Sequence, residues 1–224
     1  MLRFSHHMQL FWHGYTSIRL ETKTGDADCT LITDPFPNEA AMRFPKTVEP
    51  DMVALSHQDQ SPFNLEAVMG GEHAPFLVAD PGEYEVKGVF ANGIQDPSAD
   101  EGKERPIIYR FTTEGMTVGF LGGLKRKLTD KEVELLGSID ILILPVGGGE
   151  YMDPKMAAAA VSAIEPRMVV PIGYDIPGIK VQLGAVDPFC KELGSCERQD
   201  ANRLKISKKD LPADNLVVVV LERS

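Results

Sequence analysis

Val53-Ala54-Leu55-Ser56-His57-Gln58-Asp59-Gln60-Ser61-Pro62-Phe63-Asn64 joins an apolar run to a polar one. Residues 52–56 (MVALS) have the length and character of a buried strand. Polar residues crowd in immediately after it, and α/β folds place ligands at the C-terminal ends of strands. His57 and Asp59 stand two apart, so they project the same way if the strand continues. Two donors fall short of a zinc site, which takes three or four protein groups. A loop carrying one histidine is ordinarily no metal site at all.

Toward the N-terminus, residues 9–13 and 17–22 read as two strands around a turn at Gly14. Residues 29–33 form a third, ended by Asp34-Pro35. Pro37, Pro45 and Pro50 punctuate the loop that leads to the buried strand. Toward the C-terminus, 65–69 suits a short helix, 76–79 a strand, and 83–94 strand material with a bend near Gly88. Residues 95–106 are polar with two prolines and are expected as an exposed loop. Residues 107–112 and 116–121 predict a hairpin around Glu114-Gly115. Thr129 with Glu132 forms a capping box for a helix that Gly137 ends. Residues 139–146 (IDILILPV) read as a buried strand. Asp153 caps a helix over 154–164, with Pro154 at its first position. Strand 168–172, helix 186–193 and strands near Leu204 and over 216–221 complete the chain. Strands dominate and helices come late in each half, which predicts two mixed sheets packed together with helices outside. The expected core includes Leu31, Val53, Leu55, Val118, Ile141, Ile143, Val169 and Val219.

The chain has 224 residues, within the range of one α/β domain and enough for a core without disulfide or metal support. Residues 1–7 read as a loose leader carrying His6 and His7, and 8–224 as the domain. With 23 basic and 33 acidic residues the net charge is −10, which opposes nucleic-acid binding at long range. Lys125, Arg126 and Lys127 are expected as a solvated turn. No run approaches the ~20 apolar residues of a membrane span. Three isolated cysteines, Cys29, Cys190 and Cys196, give no disulfide framework and no CxxC, so a reducing cytoplasm is expected.

Several fragments together resemble the metallo-β-lactamase superfamily, in particular bacterial metal-dependent hydrolases similar to L-ascorbate-6-phosphate lactonase. They are Trp12-His13-Gly14-Tyr15-Thr16, Leu31-Ile32-Thr33-Asp34-Pro35-Phe36, Val53-Ala54-Leu55-Ser56-His57 and Pro81-Gly82-Glu83-Tyr84-Glu85-Val86. Phe120-Leu121-Gly122-Gly123, the DILILPVGG run over 140–148 and the PRMVVPIGY run over 166–174 follow in family order. Each fragment is weak alone; order and spacing carry the match across 8–221. The resemblance implies a four-layer αββα sandwich.

The departures from the family pattern bear on function. Metal-bearing members carry His-x-His-x-Asp-His after the buried strand; the same register here holds His57, Asp59, Ser61 and Pro62. A Gly-His-Ser turn is replaced by Gly14-Tyr15-Thr16, the aspartate of a Leu-Gly-Asp turn by Gly123, and the histidine of a Pro-x-His-Tyr turn by Gly173 beside Tyr174. The middle histidine is expected within 92–104, which contains none. Asp34 matches a position that orients the metal ligands in the family. The resemblance thus implies a hydrolase scaffold stripped of most ligands, with no cofactor, and a candidate pocket at Tyr15, Asp34, His57, Asp59, Ser61, Gly123, Gly173 and Tyr174. Glycine at two ligand positions leaves room for about a side chain each, so an empty or ligand-filled pocket is expected.

Two functions follow. One is a non-catalytic protein that binds a small molecule or a protein partner, itself included as a homo-oligomer. The other is a hydrolase of a small ester, lactone or phosphorylated metabolite that uses zinc or manganese at a sparse site. That site would hold its metal with His57 and Asp59, or with Asp34 and Asp175 added. Other signals are weaker: Glu83 and the Gly147-Gly148-Gly149 run are expected to be structural, His13 a strand residue, and His73 part of an exposed turn.

Overall fold

The computed structural model describes residues 7–39, 41–46, 48–71, 73–99, 105–194, 196–198 and 201–224. Of the expected leader, only His7 falls among them. The elements in chain order are β1 (Met8–Gly14), β2 (Ser17–Thr24), β3 (Ala27–Thr33), β4 (Met52–Ala54), α1 (Glu66–Met69), β5 (Phe76–Val78), β6 (Gly82–Val86) and β7 (Val89–Ile94). There follow β8 (Ile108–Thr113), β9 (Met116–Phe120), α2 (Asp130–Leu136), β10 (Ile141–Pro145), α3 (Pro154–Ile164) and β11 (Met168–Ile172). The chain closes with α4 (Asp187–Leu193), β12 (Glu197–Arg198), β13 (Arg203–Ile206) and β14 (Val217–Val220).

Two sheets pack face to face. One has the order β13-β1-β2-β3-β4-β5, the other β12-β14-β11-β10-β9-β8-β7-β6. Tight turns join the antiparallel pairs β1–β2, β2–β3, β6–β7 and β8–β9, while β13 returns from late in the chain to pair with β1. Glu114-Gly115 and Lys87-Gly88 both turn with positive φ at each residue (50° and 71°; 50° and 80°), the twist that suits a two-residue hairpin. β10 lies between parallel β9 and β11 and is buried throughout, which explains its unbroken apolar run. All eight residues expected in the core are buried. Thr129 and Glu132 form the capping box of α2, and Asp153 accepts from Met156 N–H at the start of α3.

The main core fills the space between the sheets. A second cluster of Ile32, Phe36, Met42, Phe44, Val53 and Leu55 lies with Val68 of α1 on the other side of the first sheet. The outer layer there is thus the loop after β3 plus a four-residue helix, while α2, α3 and α4 belong to the second sheet's side. Among the described residues no helix is long and apolar enough to cross a membrane.

Three expectations need correction. Cys190 and Cys196 are joined by a disulfide, with Cα atoms 5.4 Å apart, inside bridging range. Gly194, at φ 91°, reverses the chain after α4 and returns Cys196 beside Cys190, a local fold-back that cysteine spacing alone does not reveal. Asp96, within the loop expected to be exposed, is buried; its carboxylate accepts from Ser98 N–H at 2.9 Å, Ser98 Oγ at 2.6 Å and Thr129 Oγ1 at 2.9 Å. Part of that loop, 100–104, lies outside the described residues. Arg126 is no solvated charge either: its guanidinium pairs in bidentate fashion with the fully buried Glu132, both contacts at 2.8 Å.

Candidate functional site

Parallel pairing of β3 with β4 brings their C-terminal ends side by side, and the site is built there. Tyr109 of β8 anchors this end, donating to Leu55 O at 2.6 Å. Asp34 follows β3 in a left-handed conformation (φ 39°) and is buried. Its Oδ1 accepts from Ser56 N–H at 2.7 Å and its Oδ2 from the Ser56 hydroxyl at 2.8 Å. Burial pushes the Asp34 carboxyl above its usual range, opposed by these bonds and by the nearby Thr16 hydroxyl.

Ser56 spends its single hydrogen on Asp34. Its oxygen therefore accepts from Gly123 N–H at 3.2 Å, and from His57 Nδ1 at 3.2 Å. That leaves His57 Nε2 with its lone pair free of Ser56. Phe63 lies 6.5 Å from the imidazole, centroid to centroid. Asp59 folds back onto its own loop, accepting from Ser61 N–H and Ser61 Oγ at 2.9 Å each. Those bonds hold its carboxyl below the ordinary range.

The expected empty space is filled. A Cβ on Gly123 would stand 2.4 Å from His57 Cε1, so the imidazole occupies the room that glycine left. A Cβ on Gly173 would meet the Tyr151 ring at 3.0 Å and Pro145 Cβ at 2.9 Å. Tyr151, whose phenol burial pushes upward, lies near Thr16, which is also near Asp34. Gly173 N–H donates to Tyr15 O at 2.9 Å, and the Tyr15 ring packs edge-on against Phe36.

Asp34, His57 and Gly123 thus cluster around Ser56, and Tyr15 and Gly173 around Tyr151, with Thr16 near both groups. Asp59 and Ser61 pair with each other on the exposed loop after His57. Tyr174 belongs elsewhere: it lies 4.5 Å from Trp12 between ring centroids, donates to Leu221 O at 3.2 Å, and lines a separate cavity with Asp175. Sequence reasoning missed Ser56, Thr16 and Tyr151. Ser56 stood beside His57 in the deciding stretch; nothing in the spacing marked Tyr151, which reaches the site only because the 147–149 glycines turn the chain back.

Zinc or manganese needs three or more donors. Among the described residues no three His, Cys, Asp or Glu side chains form such a group. Asp34 is committed to Ser56, Asp59 to Ser61, and Asp175 lies in the other cavity. The donor set does not fit the metal.

Residues 9–173 match the family model of the β-lactamase superfamily domain. A UPF0173 metal-dependent hydrolase of Thermoplasma acidophilum is 26% identical over 201 residues, 75% of this chain and 84% of that protein. Another, of Lysinibacillus sphaericus, is 26% identical over 201 residues, 75% of this chain and 86% of its own. Among solved structures, a candidate Zn-dependent hydrolase of Thermotoga maritima superposes with a TM-score of 0.75 at 30% identity, over 96% of this chain and 100% of that one. Two sheets with late helices, the site at the ends of β3 and β4, and these matches agree: the chain belongs to the metallo-β-lactamase superfamily.

Proposed function

We propose that this chain is a non-catalytic homologue of the metal-dependent hydrolases, one that binds a small molecule or a protein partner. One observation carries the proposal: at two family ligand positions now held by glycine, the space is taken by this chain's own rings, His57 at Gly123 and Tyr151 at Gly173. A metal lost from an otherwise unchanged site would leave a hole; here the neighbours pack into it. Asp34 and Asp59 are turned to protein partners and Asp175 lines the other cavity, which leaves His57 Nε2. A catalytic ion held by one histidine would stay mostly hydrated and poorly placed, and a displacement of about 1 Å can cost a factor of about 100. The acidic net charge of −10 opposes a nucleic-acid ligand. The same reading keeps the chain in the cytoplasm, where a disulfide is of the reversible kind.

The test is elemental analysis of protein purified without chelators, followed by hydrolysis assays on lactone, thioester and phosphodiester panels with added zinc or manganese. Wild type and His57→Ala are compared. We expect substoichiometric metal and no metal-stimulated turnover. Metal-stimulated turnover abolished by His57→Ala would overturn the proposal in favour of a working hydrolase of a small ester, lactone or phosphorylated metabolite.

A further inference from the structure

β12 is a two-residue edge strand with a weak hold on the second sheet. Among the described residues it pairs with β14 only, at Glu197↔Val219 and Arg198↔Val220, and both its residues are exposed. A side-chain contact adds Arg198 Nη2 to Asp187 Oδ1 at 2.7 Å, but both partners are solvated and such pairs hold little. Nearby, Cys196 packs against the edge of the main core, Glu222 N–H donates to Ala201 O at 3.2 Å, and the Cys190–Cys196 disulfide fastens the entry to β12 onto α4 covalently.

The bond spans a sequence separation of only six, and short loops gain least from cross-linking. The core between the sheets is extensive without it. Its effect is therefore local, and it falls on two features. The first is the outer edge of β14, a run of four valines of which β12 covers Val219 and Val220. An uncovered apolar edge is a template for pairing with another strand. The second is a cavity of about 570 Å³ with Trp12 and Tyr174 in its wall. Val186 and Asp187, where α4 begins, and Arg198 of β12 are also in that wall. The disulfide joins the two elements that carry them.

The two bridged cysteines are half-buried, within reach of a reductant. Cys29 differs: it is buried, and burial pushes its thiol up to about 12, away from reactivity.

We infer that Cys190–Cys196 is a reversible thiol–disulfide modification site. Oxidised, it closes the β14 edge and completes the cavity wall; reduced, it releases β12 from both. The reductant is a dithiol. One of its thiolates attacks one sulfur of the bridge, forming a mixed disulfide and expelling the other cysteine as a thiolate, which takes a proton. The second thiol then displaces the remaining cysteine, leaving the reductant as its own disulfide. Two electrons have passed to the protein, and Cys190 and Cys196 both carry S–H.

The test treats the native full chain with dithiothreitol, then combines iodoacetamide pulse labelling with amide hydrogen exchange read by mass spectrometry. We expect Cys190 and Cys196 to be alkylated only after reduction and Cys29 in neither state. Exchange over 217–220 should accelerate by roughly tenfold or more on reduction, with β1, β2 and β3 unchanged, as local opening requires. Oxidised glutathione should reverse both effects. Cys196→Ser should show the reduced exchange pattern with or without reductant; the wild-type arms decide the matter if that variant does not fold. Labelling of both cysteines without reductant, no labelling after it, or unaltered exchange at β14 once both are reduced would each overturn the inference.

Discussion

Asp34 grips Ser56 twice, through its backbone N–H at 2.7 Å and its hydroxyl at 2.8 Å. This pair locks the end of β3 to the end of β4 and, through Ser56 Oγ, fixes His57 and the Gly123 backbone. In a metal-bearing relative such a carboxylate would steady ligands. Here it steadies a packed cluster.

Ser56→Ala should therefore be costly. It leaves Asp34 Oδ2 without its hydroxyl donor, and Gly123 N–H and His57 Nδ1 without their acceptor. A loss of about 1–3 kcal/mol is expected from unsatisfied buried groups. Ser61→Ala, on the exposed loop, should stay within about 0.5 kcal/mol. Urea unfolding of the two variants checks the contrast; equal losses would remove the cluster's structural role.

Gly122 supplies a second test. Its φ is 47°, and a Cβ there would stand 2.4 Å from Ser56 Cβ, which cannot move without breaking the Asp34 grip. Gly25 has φ 63° with nothing within 4 Å of an added Cβ. Gly25→Ala therefore pays backbone strain alone, about 1–2 kcal/mol. Gly122→Ala pays the clash as well and should lose at least about 2 kcal/mol more, since an incompatible site exceeds the strain cost. Equal shifts in melting temperature for the two variants would refute the clash.

Stability should not depend on metal. The core between the sheets and the Asp34–Ser56 cluster are complete from protein atoms. Small zinc domains unfold on chelation because the metal supplies their folding energy; a chain of this size buries enough surface to stand alone. Differential scanning fluorimetry with and without EDTA should give the same melting temperature. A large drop would count against a ligand-free cluster.

The sheets were legible because their signals are local and repeated: apolar runs at 52–56 and 139–146, and capping residues Thr129 and Asp153. Gly123 and Gly173 were legible as departures from a pattern. What fills them was not, because Tyr151 reaches Gly173 through a tertiary turn and His57 reaches Gly123 through the crossing of two sheets. The bidentate partner of Arg126 was hidden for a similar reason. Glu132 stood out as a capping residue, and its burial, which makes it an ion-pair partner, is set by packing around α2. The Cys190–Cys196 bridge depends on one reversal at Gly194.

The last prediction is about acid. His13 is buried, with its ring edge-on to Phe44 at 5.7 Å and Nδ1 2.7 Å from Ser224 Oγ. Nε2 has no hydrogen-bond partner among the described residues. Burial, helped by the Arg19 cation, lowers its pKa from 6.5 to about 4. Between those values the unfolded chain binds a proton that the folded chain refuses. Stability contributed by the neutral ring is thus full above about pH 6.5 and is lost as pH falls toward 4. The loss at pH 4.5 is about 2–3 kcal/mol at 1.36 kcal/mol per unit. Asp34 works in the opposite direction, since its raised carboxyl takes up a proton more readily when folded. The raw acid profile therefore mixes the two, and the comparison must be with His13→Gln, which removes only the histidine's part. Urea unfolding at pH 7.5 and pH 4.5 should show wild type losing about 2–3 kcal/mol more than the variant across that interval. Equal losses in both proteins would mean that His13 is reached by water in the folded state and that the acid sensitivity lies elsewhere.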